Sequence, residues 1–503
     1  LSLNSGCRLQ LNGKLTDDLE INAALTDETT PIQPEGNTQK LQELDNVFIE
    51  LKGQDFTGTI GDIKIDFVNT QFTNFSRKIQ GAKGFGSYGN GLGDLMLAGA
   101  VQRGKYNTNA FNGTDGIQGP YYLIGRDNEL NILVLSGTES VYLDGIQMLR
   151  GEQADYTIDY GIGTITFTNN RIITVASRII VDFEYTDREY TRTLISGANN
   201  LNLLSNKLKI GFSYVNEDDN EDKPIDFSLT ETDKEILSQA GDNRLNAVVS
   251  GVQFVGRDSA GIGLGLYVKS DTLINTETIV YYKYLPNDSN ALYQVAFSFV
   301  GQAKGNYIQN SSLQYTFNGI SQGSFDTVVF IPLPNSYQIA DINLNYESSP
   351  QREFTMNLES AFSTFDANKF SEKDDNNNVG VALFGTIGLS KQNFNFLGTK
   401  INALELKLKS KIVNKLFVPL ERYNPVEFYR QYDIQDSNKL TEDLREASLF
   451  IAPVNFVKFN AQFGQLLRGD GFNSLRTSGE FVMSDDTKKI PDLFYNVEYI
   501  TTD

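Results

Sequence analysis

The stretch "INALELKLKSKI", residues Ile401 to Ile412, decides between two fold classes. Leucine stands at every second position from Leu404 to Leu408, and charged side chains such as Glu405 stand between them. Successive side chains of a strand point to opposite sides, so a strand here would have one apolar face and one charged face. Leu404 and Leu408, with the isoleucines at both ends, also share one stripe of a helix. This stretch alone therefore leaves both structures open.

Other stretches repeat the alternation and favour strands. "KLKIGFSYV" (207–215) and "FTMNLESAF" (354–362) place large apolar residues at every second position. "GIGLGLYVK" (261–269) has three alternate glycines, each of which costs a helix about 1 kcal/mol relative to alanine. The polar connections between such stretches are acidic and rich in Asn, as expected for loops. The chain is therefore predicted to be all-β.

The length of the alternating stretches points to a membrane. No apolar run approaches the ~20 residues of a membrane helix. The alternating stretches run ~9–13 residues, enough for a tilted strand to cross a bilayer, whereas strands of soluble sheets usually have ~5–6. The prediction is an antiparallel up-and-down transmembrane β-barrel, either whole or part of a larger barrel. Strand number and the state of the lumen are left open.

In that barrel, the two sides of each strand meet different surroundings. The residues predicted to face lipid are Leu208, Ile210, Phe212, Ile262, Leu264, Leu266, Phe354, Met356, Leu358, Leu404, Leu406 and Leu408. The residues predicted to face a wet lumen are Glu359, Glu405, Lys407, Lys409 and Lys411. A lysine on the lipid side at mid-membrane would cost ~2–4 kcal/mol, so the register should be strongly fixed.

Three regions are predicted along the chain. Residues 1–69 carry the first barrel strands, and residues 186–503 carry the remaining strands with acidic loops. Residues 70–185 form a glycine-rich stretch and a small β-sandwich-like domain inserted between barrel strands. In that domain, Tyr156 and Phe167 flank a hairpin that turns at Gly161-Ile162-Gly163.

Composition excludes several functions. The chain has 503 residues and a formal net charge of -20, which argues against a nucleic-acid partner because phosphates need clustered Lys and Arg. It has no His and one Cys, so histidine-based catalysis, the usual zinc ligand sets and an internal disulfide have no residues to form them. We predict a protein that is not an enzyme. The acidic bias also predicts a lumen that disfavours anionic solutes.

One loop has calcium-like spacing. In "DDNNNVG", Asp374, Asn376 and Asn378 stand at alternate positions, as in an EF-hand. The sixth position is Val379 instead of Gly and the twelfth is Gly385 instead of Glu, so an EF-hand is rejected. A solvated acidic loop is favoured, with irregular Ca²⁺ binding as the alternative, and no other cofactor is predicted.

Three longer stretches resemble a known group of proteins. They are "LQLNGKLTDDLEINAALTDETTPIQPEGNTQKLQELDNVFIELKG" (9–53), "VYLDGIQMLRGEQADYTIDYGIGTITFTNNRIITVASRIIVDFEYTD" (141–187) and "PLERYNPVEFYRQYDI" (419–434). They resemble large, mostly uncharacterised outer-membrane β-barrel proteins of Bacteroidota and related bacteria. The resemblance implies an outer-membrane barrel with an inserted β-domain and brings no catalytic residues.

The leading functional hypothesis is an outer-membrane barrel that acts as a conduit or a scaffold in transport, secretion or surface assembly. Its expected partners are outer-membrane lipid and other outer-membrane or periplasmic proteins. The alternative is a secreted all-β surface protein that binds like an adhesin and needs no detergent for extraction. A carbohydrate-active enzyme with a carboxylate pair on a β-scaffold is a third hypothesis, and nothing in the sequence favours it.

Overall fold

The structure is a computed structural model, and the chain divides into two units. The residues described are 7–27, 47–67, 70–102, 104–126, 128–130, 132–186, 189–274, 276–311, 314–348, 352–396, 398–435, 438–484 and 491–503. The first unit comprises Leu1–Asn220, Ser336–Phe365 and Asn376–Asp503, and the second comprises Glu221–Asn335 and Asp366–Asp375. Almost all of the regular structure in both units is β.

Six antiparallel strands begin a large sheet in the first unit, each paired with the strand before it. They are β1 (Cys7–Thr16), β2 (Leu19–Asp27), β3 (Phe48–Lys52), β4 (Phe56–Phe67), β5 (Phe75–Tyr88) and β6 (Gly93–Gln102). In β4, Ile63 and Ile65 are buried while Lys64 and Asp66 are exposed. This period of two is that of a strand with one covered face.

After β6 the chain forms sheets of its own in residues 104–186, called here the small-sheet segment. Its strands are β7 (Lys105–Asn112), β8 (Tyr121–Tyr122), β9 (Leu133–Val134), β10 (Ser140–Leu143), β11 (Ile146–Gln147), β12 (Tyr156–Asp159), β13 (Thr164–Phe167) and β14 (Arg178–Thr186). They form a five-stranded sheet around β14 and a three-stranded sheet of order β12–β13–β8. The predicted hairpin is confirmed, with Tyr156 opposite Phe167.

The chain returns to the large sheet with β15 (Tyr190–Leu203), which pairs with β6, and β16 (Leu208–Pro224). The second unit follows. Its elements are helix α1 (Glu231–Ala240), a 3₁₀ turn (Arg244–Asn246), β17 (Val248–Ser250), β18 (Val252–Phe254), β19 (Tyr267–Ile274), β20 (Glu277–Tyr284), β21 (Tyr293–Val295), β22 (Ser298–Phe299), β23 (Tyr307–Ser311), β24 (Gln314–Phe317), β25 (Phe325–Asp326) and β26 (Val328–Phe330). Thr230 and Asp233 form a capping box that begins α1, and Leu237 packs in the core of this unit.

The large sheet then resumes. Its remaining elements are β27 (Ser336–Glu347), β28 (Phe354–Asp366), a 3₁₀ turn (Asp375–Asn377), β29 (Val379–Phe396), β30 (Thr399–Val413), the short helix α2 (Phe428–Gln431), β31 (Glu442–Val454), β32 (Val457–Arg468), β33 (Asn473–Met483) and β34 (Leu493–Thr502). Neighbours follow chain order throughout, which gives an antiparallel up-and-down sheet of sixteen described strands. Within the described residues, β1 pairs only with β2 and β34 only with β33, so the sheet is open there. Closure into a barrel stays a prediction.

Two of the predicted regions differ from the structure. The glycine-rich stretch assigned to the inserted domain forms β5 and β6 of the large sheet, and the separate sheets start only at Lys105. At Gly81 a Cβ would collide with the backbone of Ala100 on the neighbouring strand, so glycine there serves close strand packing and not an irregular loop. Residues 186–503 were predicted as one run of barrel strands, yet the second unit interrupts them. Residue 69, the first predicted boundary, lies outside the described residues.

The prediction for Ile262, Leu264 and Leu266 is wrong. These residues lie in a loop of the second unit that leads into β19, and they are not in the large sheet. Gly261 has a φ of 82°, and a Cβ at Gly265 would collide with the backbone of Tyr293. The alternate glycines therefore serve a turn and a close backbone approach, and not a membrane strand.

Candidate functional site

The large sheet has one face that is apolar and exposed, called here the apolar face. Directly opposed residues of paired strands share a face, and Leu406 lies opposite both Leu389 and Leu449. The exposed members of this face include Leu95, Leu97, Val101, Ile195, Phe212, Ile342, Leu358, Phe362, Leu383, Ile387, Leu389, Leu406, Leu408, Ile412, Leu449, Phe459, Phe463, Tyr495, Val497 and Tyr499. An exposed apolar surface that spans this many strands is unusual for a protein surrounded by water.

Nine of the twelve residues predicted to face lipid lie on strands of this sheet. Phe212, Leu358, Leu406 and Leu408 are exposed. Leu208, Ile210, Phe354, Met356 and Leu404 are half-buried. The strand pairing places several of them opposite exposed apolar residues, for example Phe212 opposite Ile342, whereas Leu404 lies opposite Lys391. The other three are the second-unit residues corrected above.

The opposite side of the sheet, called here the polar face, carries the five residues predicted to face the lumen. Glu405 and Lys407 are exposed, and Lys409 Nζ lies 2.8 Å from Glu446 Oε2. Lys411 is buried, and its ammonium group contacts Asn424 Oδ1. The alternation along β30 is therefore observed, but only part of this face is open to water.

Glu359 was predicted to face a wet lumen, but it is buried beneath the connection from β4 to β5. Its carboxylate accepts hydrogen bonds from the backbone N–H of Gln71 at 2.7 and 2.8 Å and from that of Phe72 at 2.8 Å. Lys411 is covered in a similar way by residues 414–441, called here the long loop, whose Tyr423 ring centroid lies 5.0 Å from its Nζ. Loops that fold back onto the polar face thus replace the water expected there.

One buried cation joins three parts of the first unit. The Arg77 side chain on β5 is 2% exposed. Its Nη1 lies 2.5 Å from Glu217 Oε1 on β16, and its Nε lies 3.6 Å from Glu184 on β14 and 3.8 Å from Glu421 in the long loop. The large sheet, the small-sheet segment and the long loop therefore meet around a single guanidinium.

Two more arginines join the long loop to the small-sheet segment. Arg422 Nη2 lies 2.7 Å from Asp182 Oδ2, and its Nη1 donates to the carbonyl of Asn424 at 2.7 Å. Arg178 Nη2 lies 3.0 Å from Glu427 Oε2. These pairs are partly shielded from water, where a charge-assisted hydrogen bond is stronger than at the surface.

Apolar packing also holds the long loop on the polar face. The rings of Phe417 and Phe72 have centroids 5.4 Å apart. Tyr337 Oη donates to the carbonyl of Val418 at 2.8 Å, and the Val418 N–H donates to Ser363 Oγ at 2.9 Å. The loop is therefore docked by its backbone as well as by its side chains.

A cavity of about 990 Å³ lies where these three parts meet. Its walls include Arg192 and Tyr337 from the large sheet, Tyr106 from β7 and Arg422 from the long loop. Arg192 makes a two-point contact with Asp219, with both N···O distances at 2.8 Å. The cavity has the size of small-molecule sites in proteins, which span roughly 300–1,000 Å³.

Glu421 gives this junction a pH dependence. Burial raises the pKa of its carboxyl from 4.5 to about 7; Arg77 opposes the rise, and Glu184, Asp182 and Glu217 add to it. A carboxyl whose folded pKa exceeds its unfolded value stabilises the fold fully only below the unfolded value, and stability falls as pH rises through the folded value. Docking of the long loop should therefore weaken between about pH 4.5 and pH 7.

We expect limited proteolysis to cut the long loop faster at about pH 8 than at about pH 5, relative to a reference substrate at each pH. Glu421→Gln should remove most of this difference, because the amide keeps the shape and cannot ionise. Glu405→Gln, an exposed change on the same sheet, is the matched control and should keep the wild-type pH profile. Equal pH profiles for wild type and Glu421→Gln would contradict the assignment.

The described residues contain no helix long and apolar enough to cross a membrane. They also contain no group of three or more His, Cys, Asp or Glu side chains placed to hold a metal ion. Of the calcium candidates, Asp374 belongs to the second unit, whereas Asn376 and Asn378 belong to the first. Calcium binding there stays a prediction.

Sequence reasoning missed the residues that form the junction. Arg77 and Glu217 are separated by 140 positions, and each stands in an ordinary alternating strand. A weak signal existed at Glu421 and Arg422, adjacent charges beside the apolar run "LFVPL". A charge so placed is often covered by protein, but its partner cannot be inferred without the fold.

In comparisons with known proteins, a family model matches part of the chain. This family model, described as "Domain of unknown function (DUF8818)", matches residues 106–187, which corresponds closely to the small-sheet segment. No curated protein matches the chain.

Three solved structures align with almost the whole chain at low similarity. Wzi of Escherichia coli, an outer membrane protein involved in group 1 capsule assembly and described as a carbohydrate-binding β-barrel, aligns over 99% of this chain and 74% of its own, with 6% identity and a TM-score of 0.30. OccK8 (OprE) of Pseudomonas aeruginosa aligns over 99% and 92%, with 8% identity and a TM-score of 0.23. OccAB2 of Acinetobacter baumannii aligns over 99% and 91%, with 8% identity and a TM-score of 0.20. The function proposed below rests on the geometry of the sheet and not on these proteins.

Proposed function

We propose that the large sheet is the wall of a bacterial outer-membrane β-barrel, with its apolar face against lipid. The observation that carries this proposal is the exposed apolar face, which continues across neighbouring strands. Burial in hydrocarbon removes such a surface from water at a gain of roughly 25 cal/mol per Å². An aqueous protein would need a second layer to cover it, and none of the described residues forms one.

Strand length supports the same conclusion. Fifteen of the sixteen described strands of the large sheet have 9 to 18 residues, and β3 has five. A tilted strand needs ~9–11 residues to cross a bilayer. The polar ends of the longer strands then extend beyond the membrane, as the acidic end of β16 does with Asp218 and Asp219.

Short connections predominate at one edge of the sheet, and the longest connections are all at the other edge. At one edge, called here the short-turn edge, connections such as 89–92, 204–207 and 397–398 have two to nine residues. At the opposite edge, the long-connection edge, the chain makes its longest connections, which are the small-sheet segment, the residues between β16 and β27, and the long loop; the shorter connections from β4 to β5 and from β32 to β33 are at this edge as well. Outer-membrane barrels show this asymmetry, with short periplasmic turns and long extracellular loops.

The role that fits this wall is non-enzymatic, as a conduit or a scaffold. Two neighbouring carboxylates on the polar face, Glu359 and Asp341, are both buried, and Glu359 is engaged by backbone N–H groups. The small-sheet segment and the long loop cover part of the polar face, which supports a partly plugged conduit or a platform for partner proteins.

Membrane extraction tests the proposal. The protein should stay with the outer-membrane fraction of its bacterium through a high-salt wash and an alkaline wash, and detergent should be needed to release it. Lipid contact over the apolar face is the reason, because neither treatment competes with hydrocarbon burial. Release by buffer or salt alone would reject the membrane wall and favour the adhesin-like surface protein.

A further inference from the structure

The cavity beside the long loop is rich in cations, although the chain as a whole is acidic. Nine Lys and Arg residues line it against five Asp and Glu, whereas the whole chain has 43 against 63. Overall composition predicted a lumen that disfavours anions. Carboxylates just outside the lining, including Glu184, Glu189, Asp182 and Asp219, pair with several of these cations, so the lining cations that lack such a partner among the described residues are the ones to consider.

Three of the nine cations have no carboxylate partner within the described residues. The six cations that do have a carboxylate partner form these ion pairs: Arg77 with Glu217, Lys105 with Glu189, Arg178 with Glu427, Arg192 with Asp219, Arg422 with Asp182, and Arg430 with Glu427. The remaining three are Arg126, Lys415 and Lys439. These three side chains are therefore the lining cations for which the described residues supply no ion pair.

Arg126 is held in a way that leaves its hydrogen-bond donors available. Its guanidinium carbon lies 4.8 Å from the centroid of the Phe365 ring, and its backbone N–H donates to Tyr185 Oη at 2.8 Å. A cation–π contact does not use up the five N–H donors with which a guanidinium binds oxygen acceptors. None of the described residues accepts a hydrogen bond from this guanidinium, so these donors can bind an anion.

Lys439 lines the same cavity as Arg126. Partial desolvation lowers the pKa of the Lys439 ammonium group, and the nearby positive charge of Arg126 lowers it further. Two like charges held near each other raise the free energy of the empty site. An anion placed between them would relieve this repulsion and form charge-assisted hydrogen bonds with both.

We propose that this cavity binds a small anionic ligand whose carboxylate or phosphate oxygens contact Arg126 and Lys439. Arginine offers a planar fork of donors and lysine a compact charge, and both recognise oxyanions. The lining tyrosines, including Tyr106 and Tyr429, offer ring surface to the uncharged part of the ligand. Binding by this pair does not depend on the proposed membrane location.

Isothermal titration calorimetry on the purified full chain, in a low-salt buffer at about pH 7, would test this site. Inorganic phosphate and citrate are the probes, and they separate a phosphate site from a carboxylate site. The double variant Arg126→Gln/Lys439→Gln should bind the preferred probe at least about tenfold more weakly, because it loses two charge-assisted contacts. Lys400→Gln, an exposed change of the same charge at the short-turn edge, should bind like wild type.

The calorimetry distinguishes a specific anion site from no site. Binding that weakens in the double variant and with added salt supports the site. The site is rejected if folded wild type takes up neither probe, or if the double variant, shown folded by circular dichroism, binds as tightly as wild type. The membrane-extraction test can fail while this one succeeds, so the two proposals are separable.

Discussion

Replacing Leu406 with lysine is expected to prevent stable membrane assembly, while the same residue type added to the polar face is tolerated. Leu406 lies on the apolar face with Leu389 and Leu449 on either side. A lysine on the lipid side of a barrel costs ~2–4 kcal/mol near mid-membrane, against a total stability of only 5–15 kcal/mol for a typical domain. We expect Leu406→Lys to reduce the protein recovered in the outer membrane several-fold.

Asn460→Lys is the matched control for this change. Asn460 lies on the polar face of β32, directly opposite Glu480. Its chain neighbour Ala461 pairs with Leu449, which in turn pairs with Leu406, so Asn460 and Leu406 lie at a similar distance from the edges of the sheet. The added lysine there meets a carboxylate and no lipid. Quantitative immunoblotting of outer-membrane fractions would compare the variants. Equal recovery of Leu406→Lys and Asn460→Lys would mean that the apolar face does not contact hydrocarbon.

Replacing Arg77 with methionine should destabilise the junction by about 3–5 kcal/mol, the usual cost of removing one partner from a buried ion pair. The change leaves Glu217, Glu184 and Glu421 near each other with no cation between them. Methionine retains most of the side-chain volume, so the loss reports on charge and not on a cavity. Protection of the long loop and the small-sheet segment from protease should fall, and the denaturant midpoint should drop.

Arg445→Met is the control for that variant. Arg445 forms an exposed pair with Asp443 at 2.7 Å on the apolar side of the sheet near the long-connection edge. Pairs of this kind contribute little to stability. Arg445→Met should therefore leave protease protection unchanged, and Arg77→Lys should restore part of what Arg77→Met loses. A junction that stays protected in Arg77→Met would show that apolar packing alone holds it.

The large sheet was predictable because its signal is local. Alternation along "INALELKLKSKI" assigns Leu406 and Lys407 to opposite faces, and up-and-down pairing extends that assignment from strand to strand. The same alternation misled at Leu264, because glycine-rich sequence also suits turns in which backbones approach closely. Strand period identifies a face but cannot tell which sheet a strand joins.

The candidate site was not predictable, because it depends on contacts between distant parts of the chain. Burial of Lys411 and Glu359 follows from loops that fold back onto the polar face, and no local pattern encodes that path. The cavity cations that have no carboxylate partner among the described residues were hidden for a related reason. Arg126 and Lys439 are more than three hundred positions apart, and no local pattern shows that they line one cavity.

The hydrogen-bonded ladder between β6 and β15 bears on how such a protein can change over evolution. Gln102 pairs with Arg192, so the small-sheet segment leaves and re-enters the sheet at adjacent positions. The same holds for the insertion after β16, where Asp218 pairs with Ser336. Because both ends of each excursion are already fixed side by side, a module of another size can replace it without shifting any register, and lengthening a flexible connection costs only about 0.6 kcal/mol per doubling. The paired strand ends are therefore fixed points, between which other modules can be exchanged while the apolar face of the large sheet stays unchanged.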